Sequence, residues 1–186
     1  MKIIETNLTG VKVIEPSVFG DHRGWFMETH NYTKLKEEGI NINFIQDNQS
    51  YSAVKGTLRG LHYQLNPKAQ AKIVRCTRGA IFDVAVDIRK GSPEFGKWVG
   101  VELTEENKKQ LLIPKGFAHG FITITKDVEV QYKVDNDYAP ECEGGVIWND
   151  PTIGIEWPVD VEPILSEKDK VALTLDKAKN NFTYGE

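Results

Sequence analysis

Short runs of alternating apolar and polar residues, broken repeatedly by glycine, proline or asparagine, restrict this chain to a β architecture. From Ile81 to Arg89, Phe82, Val84, Val86 and Ile88 fall on one face and Asp83, Ala85 and Asp87 on the other, the period of two of a strand. Val128, Val130, Tyr132 and Val134 alternate in the same way with Glu129, Gln131 and Lys133. Helix signals are confined to two places. Asn31 to Glu38 reads as a short helix stopped by Gly39, and Ser166 opens a second that the pattern extends towards Ala178. Many short strands at regular spacing predict an all-β sandwich, barrel or jelly roll with a few short peripheral helices. No internal repeat, low-complexity tract or long linker interrupts the sequence, so residues 1–186 are expected to form one domain.

Composition removes several classes of function. The net charge is −4, with no basic stripe, which argues against nucleic-acid binding. No apolar stretch approaches the roughly 20 residues of a membrane span, and Met1 to Thr6 lacks the apolar core of a signal peptide. Cys76 and Cys142 are isolated thiols without metal-ligand spacing or a disulfide framework, which fits a reducing cytoplasm.

Chemistry concentrates in Leu58-Arg59-Gly60-Leu61-His62-Tyr63-Gln64. An imidazole titrates near neutrality and suits proton abstraction, while a guanidinium fork suits a phosphate. Taken alone, the pair also describes a core histidine beside a surface arginine. There is a parity conflict as well. Residues three apart on a regular strand point to opposite faces, so Arg59 and His62 share a cavity only if Gly60 hosts a bulge. Tyr132 shares a face with three valines, so it is either a core tyrosine or, in a small barrel, a phenol aimed into the cavity. Ser166 to Asp169 fits a capping box. Asp83 is a candidate orienter for His119.

Five ordered motifs extend this reading across the chain. They are Phe19-Gly20-Asp21-His22-Arg23-Gly24-Trp25-Phe26, Gln46-Asp47-Asn48-Gln49-Ser50, Ile113-Pro114-Lys115-Gly116-Phe117-Ala118-His119-Gly120-Phe121, Val130-Gln131-Tyr132 and Leu165-Ser166-Glu167-Lys168-Asp169. With the histidine segment, they make the chain resemble the dTDP-4-dehydrorhamnose 3,5-epimerases. The resemblance implies a cupin-type jelly-roll barrel and a cofactor-independent isomerase of dTDP-L-rhamnose biosynthesis. The implied substrate is dTDP-4-dehydro-6-deoxy-D-glucose and the product dTDP-4-dehydro-L-rhamnose. In such a 4-keto sugar, carbons 3 and 5 flank the carbonyl and their protons are weakly acidic. The resemblance makes His62 the base, Tyr132 the acid on the opposite face, Lys72 the cation at the developing oxyanion and Asp169 the partner of His62. It implies substrate binding by Arg23, Phe26, Glu28, Gln46, Asn48, Ser50, Arg59, His119, Tyr138, Glu143 and Lys168. It further implies a homodimer, with Arg23 and Glu28 as cross-subunit donors.

Two further readings stay open from the sequence. A single-centre epimerase would share the base, acid and lysine, and a binding-only cupin would have lost the base or acid first. A metal-dependent cupin is disfavoured because His62-Tyr63-Gln64 stands where the metal-binding members carry a second histidine, leaving His119 without a ligand set. No metal or other cofactor is therefore expected.

Overall fold

In a computed structural model that describes residues 1–185, the chain forms two facing antiparallel sheets. The elements are β1 (Lys2–Glu5), β2 (Lys12–Glu15), β3 (Val18–Asp21), β4 (Gly24–Met27), α1 (Tyr32–Glu37), β5 (Gln46–Ser52), β6 (Leu58–Gln64) and β7 (Lys72–Arg78). They continue with β8 (Ala80–Asp87), β9 (Trp98–Thr104), β10 (Gln110–Ile113), β11 (Phe117–Thr123), β12 (Val128–Val134), β13 (Glu143–Gly145) and α2 (Glu167–Lys170). One sheet has the order β1-β2-β10-β7-β12-β5 and the other β13-β6-β11-β8-β9. Strands β3 and β4 pair only with each other. This is the expected all-β jelly-roll barrel.

Apolar residues sort into three clusters. Val74, Val128 and Val130 of one sheet meet Ile81, Ala85 and Leu103 of the other inside the barrel. Outside the five-stranded sheet, Leu61, Tyr63, Val84, Val86 and Ile88 are covered by Val146, Ile153 and Phe182 of the C-terminal segment. Outside the six-stranded sheet, Ile14, Ile73 and Leu112 lie under Leu35 of α1. Both faces of β8 are therefore buried, and its apolar row packs outward under the C-terminal segment. The alternate row of Ile81, Asp83 and Ala85 points into the barrel.

The first helix starts one residue later than expected, because Asn31 is its cap: Asn31 Oδ1 accepts from the Lys34 amide at 3.1 Å. The second is a single turn and does not run towards Ala178. After Lys170 the backbone makes sheet-like contacts instead, with Val146 bridging Leu173 and the Ile147 amide donating to the Leu173 carbonyl at 2.9 Å. Tertiary pairing overrides helical preference there.

The irregularity expected at Gly60 is present. Strand β6 pairs with β11 through His62 with His119 and then Arg59 with Phe121, so three steps on β6 match two on β11. The extra residue is a bulge, and it brings Arg59 and His62 to the same cavity. Gly60 has φ +132°, and a Cβ there would lie 2.5 Å from the Gly120 Cα and 2.8 Å from the His119 carbonyl oxygen. Only glycine fits both the dihedral and the gap. Gly60→Ala is expected to cost roughly 2–4 kcal/mol of stability, read as a lowered denaturant midpoint. An unchanged midpoint would show that the crossing tolerates a side chain.

Candidate active site

Between the sheets lies a cleft of about 380 Å³ whose lining includes Ser50, Arg59, His62, Lys72, His119, Tyr132, Lys168 and Asp169. An adjoining space of about 320 Å³ shares His62, Lys72 and Tyr132 and adds Gln46, Asn48, Tyr138 and Glu143. A further cavity of about 400 Å³, lined by residues such as Thr29, Arg75 and Gln110, contains no histidine in its lining. Size does not distinguish the three. The convergence of titratable groups does.

His62 comes from β6 in the five-stranded sheet, whereas Lys72 and Tyr132 come from β7 and β12 in the six-stranded sheet. The imidazole thus faces the ammonium and the phenol across the cleft. His62 Nε2 lies 2.6 Å from Asp169 Oδ1. Burial acts against ionising Asp169, yet the hydrogen bond and charge of His62, with the Ser166 cap, hold its carboxyl below the ordinary value. Both sequence readings of Ser166 to Asp169 are therefore partly realised. Ser166 Oγ accepts from the Asp169 amide at 3.2 Å, as a cap should, but the acid turns to the histidine. With a carboxylate at Nε2, that nitrogen carries the proton and Nδ1 is the basic atom.

A second imidazole stands directly across the ladder. His119 is the register partner of His62, and its Nε2 lies 2.8 Å from Asp83 Oδ1, the pairing expected from the sequence. Burial pushes His119 below its ordinary value, with Asp83 opposing the shift. The Lys72 ammonium is pushed down to about 8 by burial, partly countered by Asp83. Burial pushes the Tyr132 phenol up, with Arg59 opposing, so it holds its proton at neutral pH. Ser50 Oγ is buried without a hydrogen-bond partner, an open position in the cleft wall.

At the rim, Lys168 Nζ donates to both carboxylate oxygens of Glu143 at 2.9 Å. Gln46 donates to Asn48 Oδ1 at 2.8 Å. Arg59 Nη2 donates to the Tyr51 carbonyl at 3.2 Å, and its Nε and Nη2 each reach Ser52 Oγ at 3.4 Å. Tyr138 presents an exposed ring to the adjoining space.

Three residues implied by the resemblance are not in this chain's cleft. Arg23 sits at the β3–β4 turn paired with Asp21 at 2.6 Å, Phe26 is 65% exposed on β4, and Glu28 bonds Asn31 and Lys34 just beyond it. Conversely, Leu58, Phe121, Ile164 and Leu165 line the cleft and were not anticipated. Phe121 could have been found, since it lies two residues beyond His119 on the same strand face. Ile164 and Leu165 lie in irregular backbone, where no periodicity marks an inward direction. Among the described residues, no group of three His, Cys, Asp or Glu side chains is placed to hold a metal ion.

The chain matches the family model for dTDP-4-dehydrorhamnose 3,5-epimerase over residues 5–177. It is 53% identical over 179 residues to the dTDP-4-dehydrorhamnose 3,5-epimerase of Salmonella typhimurium, covering 96% of this chain and 97% of that one. It is similar to the structure of the Bacillus anthracis dTDP-4-dehydrorhamnose 3,5-epimerase with TDP and PPi bound. The TM-score is 0.90 at 51% identity, covering 93% of this chain and 98% of that one. It is likewise similar to the Legionella pneumophila dTDP-6-deoxy-D-glucose-3,5-epimerase in complex with dTDP-4-keto-L-rhamnose. There the TM-score is 0.91 at 47% identity, covering 95% of this chain and 93% of that one. With a family model matched over residues 5–177 and a relative 53% identical over 96% of this chain's length, the chain belongs to the dTDP-4-dehydrorhamnose 3,5-epimerase family.

Proposed function

We propose that this protein epimerises carbons 3 and 5 of dTDP-4-dehydro-6-deoxy-D-glucose, giving dTDP-4-dehydro-L-rhamnose in dTDP-L-rhamnose biosynthesis. The observation that carries the reading is the opposition of a carboxylate-paired imidazole and a protonated phenol across one cleft, with an ammonium beside them. Inversion at a carbon alpha to a carbonyl needs that arrangement. His62 Nδ1 takes the proton, the C–H electron pair moves into a carbon–carbon double bond, and O4 gains the negative charge. Lys72 stabilises that oxygen. Tyr132 then returns a proton to the opposite face, and the carbonyl re-forms. Asp169 stabilises the imidazolium between the two transfers. Solvent must take the proton from the imidazolium and return one to the phenolate before the next centre reacts.

The nucleotide is assigned to the rim. Tyr138 supplies a ring on which thymine can stack, and Arg59 supplies donors for the diphosphate. Gln46, Asn48, Ser50, His119, Glu143 and Lys168 complete the polar lining. Residues 1–186 act here as one sugar-nucleotide epimerase domain in the cytoplasm, with neither nucleic acid nor membrane as a partner. No helix among the described residues is long and apolar enough to cross a membrane.

A homodimer is part of the proposal. Strand β5 is an open sheet edge, and the β3–β4 hairpin stands apart with Phe19 64% and Trp25 58% exposed. An isolated two-stranded hairpin is marginal in water, and an open edge invites another strand. Docking of the hairpin on a second copy would cover both and bring Arg23, Phe26 and Glu28 to the partner's cleft.

Proton NMR of the substrate in heavy water tests the chemistry. Deuterium should enter at carbons 3 and 5 with wild type. Entry at one carbon only would establish a single-centre epimerase, and none would leave a binding module. His62→Asn should lower exchange by roughly 10²–10⁴-fold. Tyr132→Phe should still wash deuterium into the carbon that His62 reaches while stopping net inversion. Inversion at the wild-type rate would remove Tyr132 as the acid.

Lys72→Met should lower kcat by roughly 10²–10³-fold while raising Tm, because an apolar side chain replaces a half-buried cation. The sign follows from proton binding. Folded Lys72 sits at about 8 against an ordinary 10.5, so folding is penalised below pH 8 and the penalty lifts as pH rises from 8 towards 10.5. The Tm advantage of Lys72→Met should therefore shrink over that window, and a constant advantage would contradict it. For the dimer, mixing inactive Arg23→Ala and His62→Asn chains under exchange should restore about a quarter of wild-type activity, since half the dimers then hold one intact cleft. No restoration would keep Arg23 out of the partner's site.

A further inference from the structure

Asp83 has no exposed surface, and its register neighbours are Phe121 on β11 and Val101 on β9. A carboxylate among such groups is costly unless hydrogen bonds and an opposite charge offset it. One oxygen has a partner, His119 Nε2 at 2.8 Å, whereas Oδ2 is buried with none among the described residues. The cation whose charged form it favours is Lys72, on the opposite sheet.

We propose that Asp83 is a positioning residue acting through two neighbours: Oδ1 fixes the tautomer of His119, and Oδ2 supplies the negative charge that keeps Lys72 an ammonium within the barrel. The second half rests on the reading of Lys72 as the cation that receives the enolate charge. With Nε2–H donated to Asp83, His119 presents an unprotonated Nδ1 to the cleft. That nitrogen is an acceptor and suits a sugar hydroxyl rather than the oxyanion. The two imidazoles that face each other across β6 and β11 then have separate duties, His62 moving protons and His119 holding the ring.

The other groups that act on Lys72 do not replace Asp83. Lys168 of α2 lowers its proton affinity and Glu143 of β13 raises it, but these two are paired with each other at 2.9 Å, so their fields largely cancel at Lys72. His119 of β11 is held neutral by burial. His62 of β6 has its own carboxylate, and Tyr132 of β12 keeps its proton. Of the three charged groups that act on Lys72, Asp83 is the one not paired with an opposite charge.

Asp83→Asn removes that charge while keeping an oxygen that can accept from His119. The experiment is the pH profile of kcat/KM for substrate deuteration in wild type and in this variant. Wild type should lose activity above about pH 8 as Lys72 sheds its proton. The variant's alkaline limb should move down by about one pH unit or more, with much of the rate recovered at lower pH. A variant slowed equally at every pH, with the limb unmoved, would reduce Asp83 to a structural role and overturn the proposal. Nitrogen-15 NMR of histidine-labelled wild type gives an independent reading that needs no variant to fold. The Nε2–H tautomer of His119 at pH 7 is expected, and either Nδ1–H or the imidazolium would overturn its first half. If wild type deuterates nothing, the epimerase reading and the Lys72 half fall together, while the tautomer measurement still decides the His119 half.

Discussion

The passage of Gly60 over Gly120 is the contact on which the cleft depends. Two strands approach closely enough there that a Cβ on either would meet backbone of the other. That approach accommodates one additional residue in β6, and the additional residue makes Arg59 and His62 companions rather than opposites. A regular strand would have presented the guanidinium or the imidazole to the cavity, never both. The cost is local and backbone-borne, and the rest of the barrel holds it in place through the pairing of β11 with β8 over seven consecutive registers from Phe117 to Thr123.

Around that crossing the protein uses one device twice. His62 and His119 each bind a buried carboxylate through Nε2, yet their surroundings differ. The His62 side chain keeps a third of its surface open and its carboxylate rides on a helical turn, whereas His119 is enclosed and its carboxylate lies within the sheet. Exposure and burial thus assign different chemistry to identical side chains.

Much of this was legible in the residues. Period-two alternation identified β8 and β12, and the parity conflict at Gly60 announced its own resolution, because only a bulge could reconcile Arg59 with His62. Asp83 was no more than a candidate partner for His119, because its strand placed an acid opposite the apolar row without saying what that acid meets. What alternation does not give is which row faces the barrel. The apolar row of β8 turned outward, since the C-terminal segment supplies a second core there. The same segment defeated the helix expected towards Ala178, because a chain that bridges Val146 at Leu173 answers to a partner remote in sequence. Arg23, Phe26 and Glu28 show a different gap. Sequence resemblance groups them with the cleft, but within one chain they lie on or just beyond a hairpin that contributes nothing to its lining.

The anchoring of Asp169 has a consequence for how the molecule behaves in time. Its helix is one turn long, held by the Ser166 cap and by isolated bridges at Ile164 and Leu173, in a stretch with little ladder bonding of its own. Segments of that kind open at free energies well below that of global unfolding. Each opening separates the carboxylate from His62 and leaves an imidazole with no partner for its cationic form. On the proposed mechanism, the proportion of molecules competent for proton transfer follows the docking equilibrium of the final strap, so amide exchange in residues 164–173 would be a clock for the chemistry as well as for the fold.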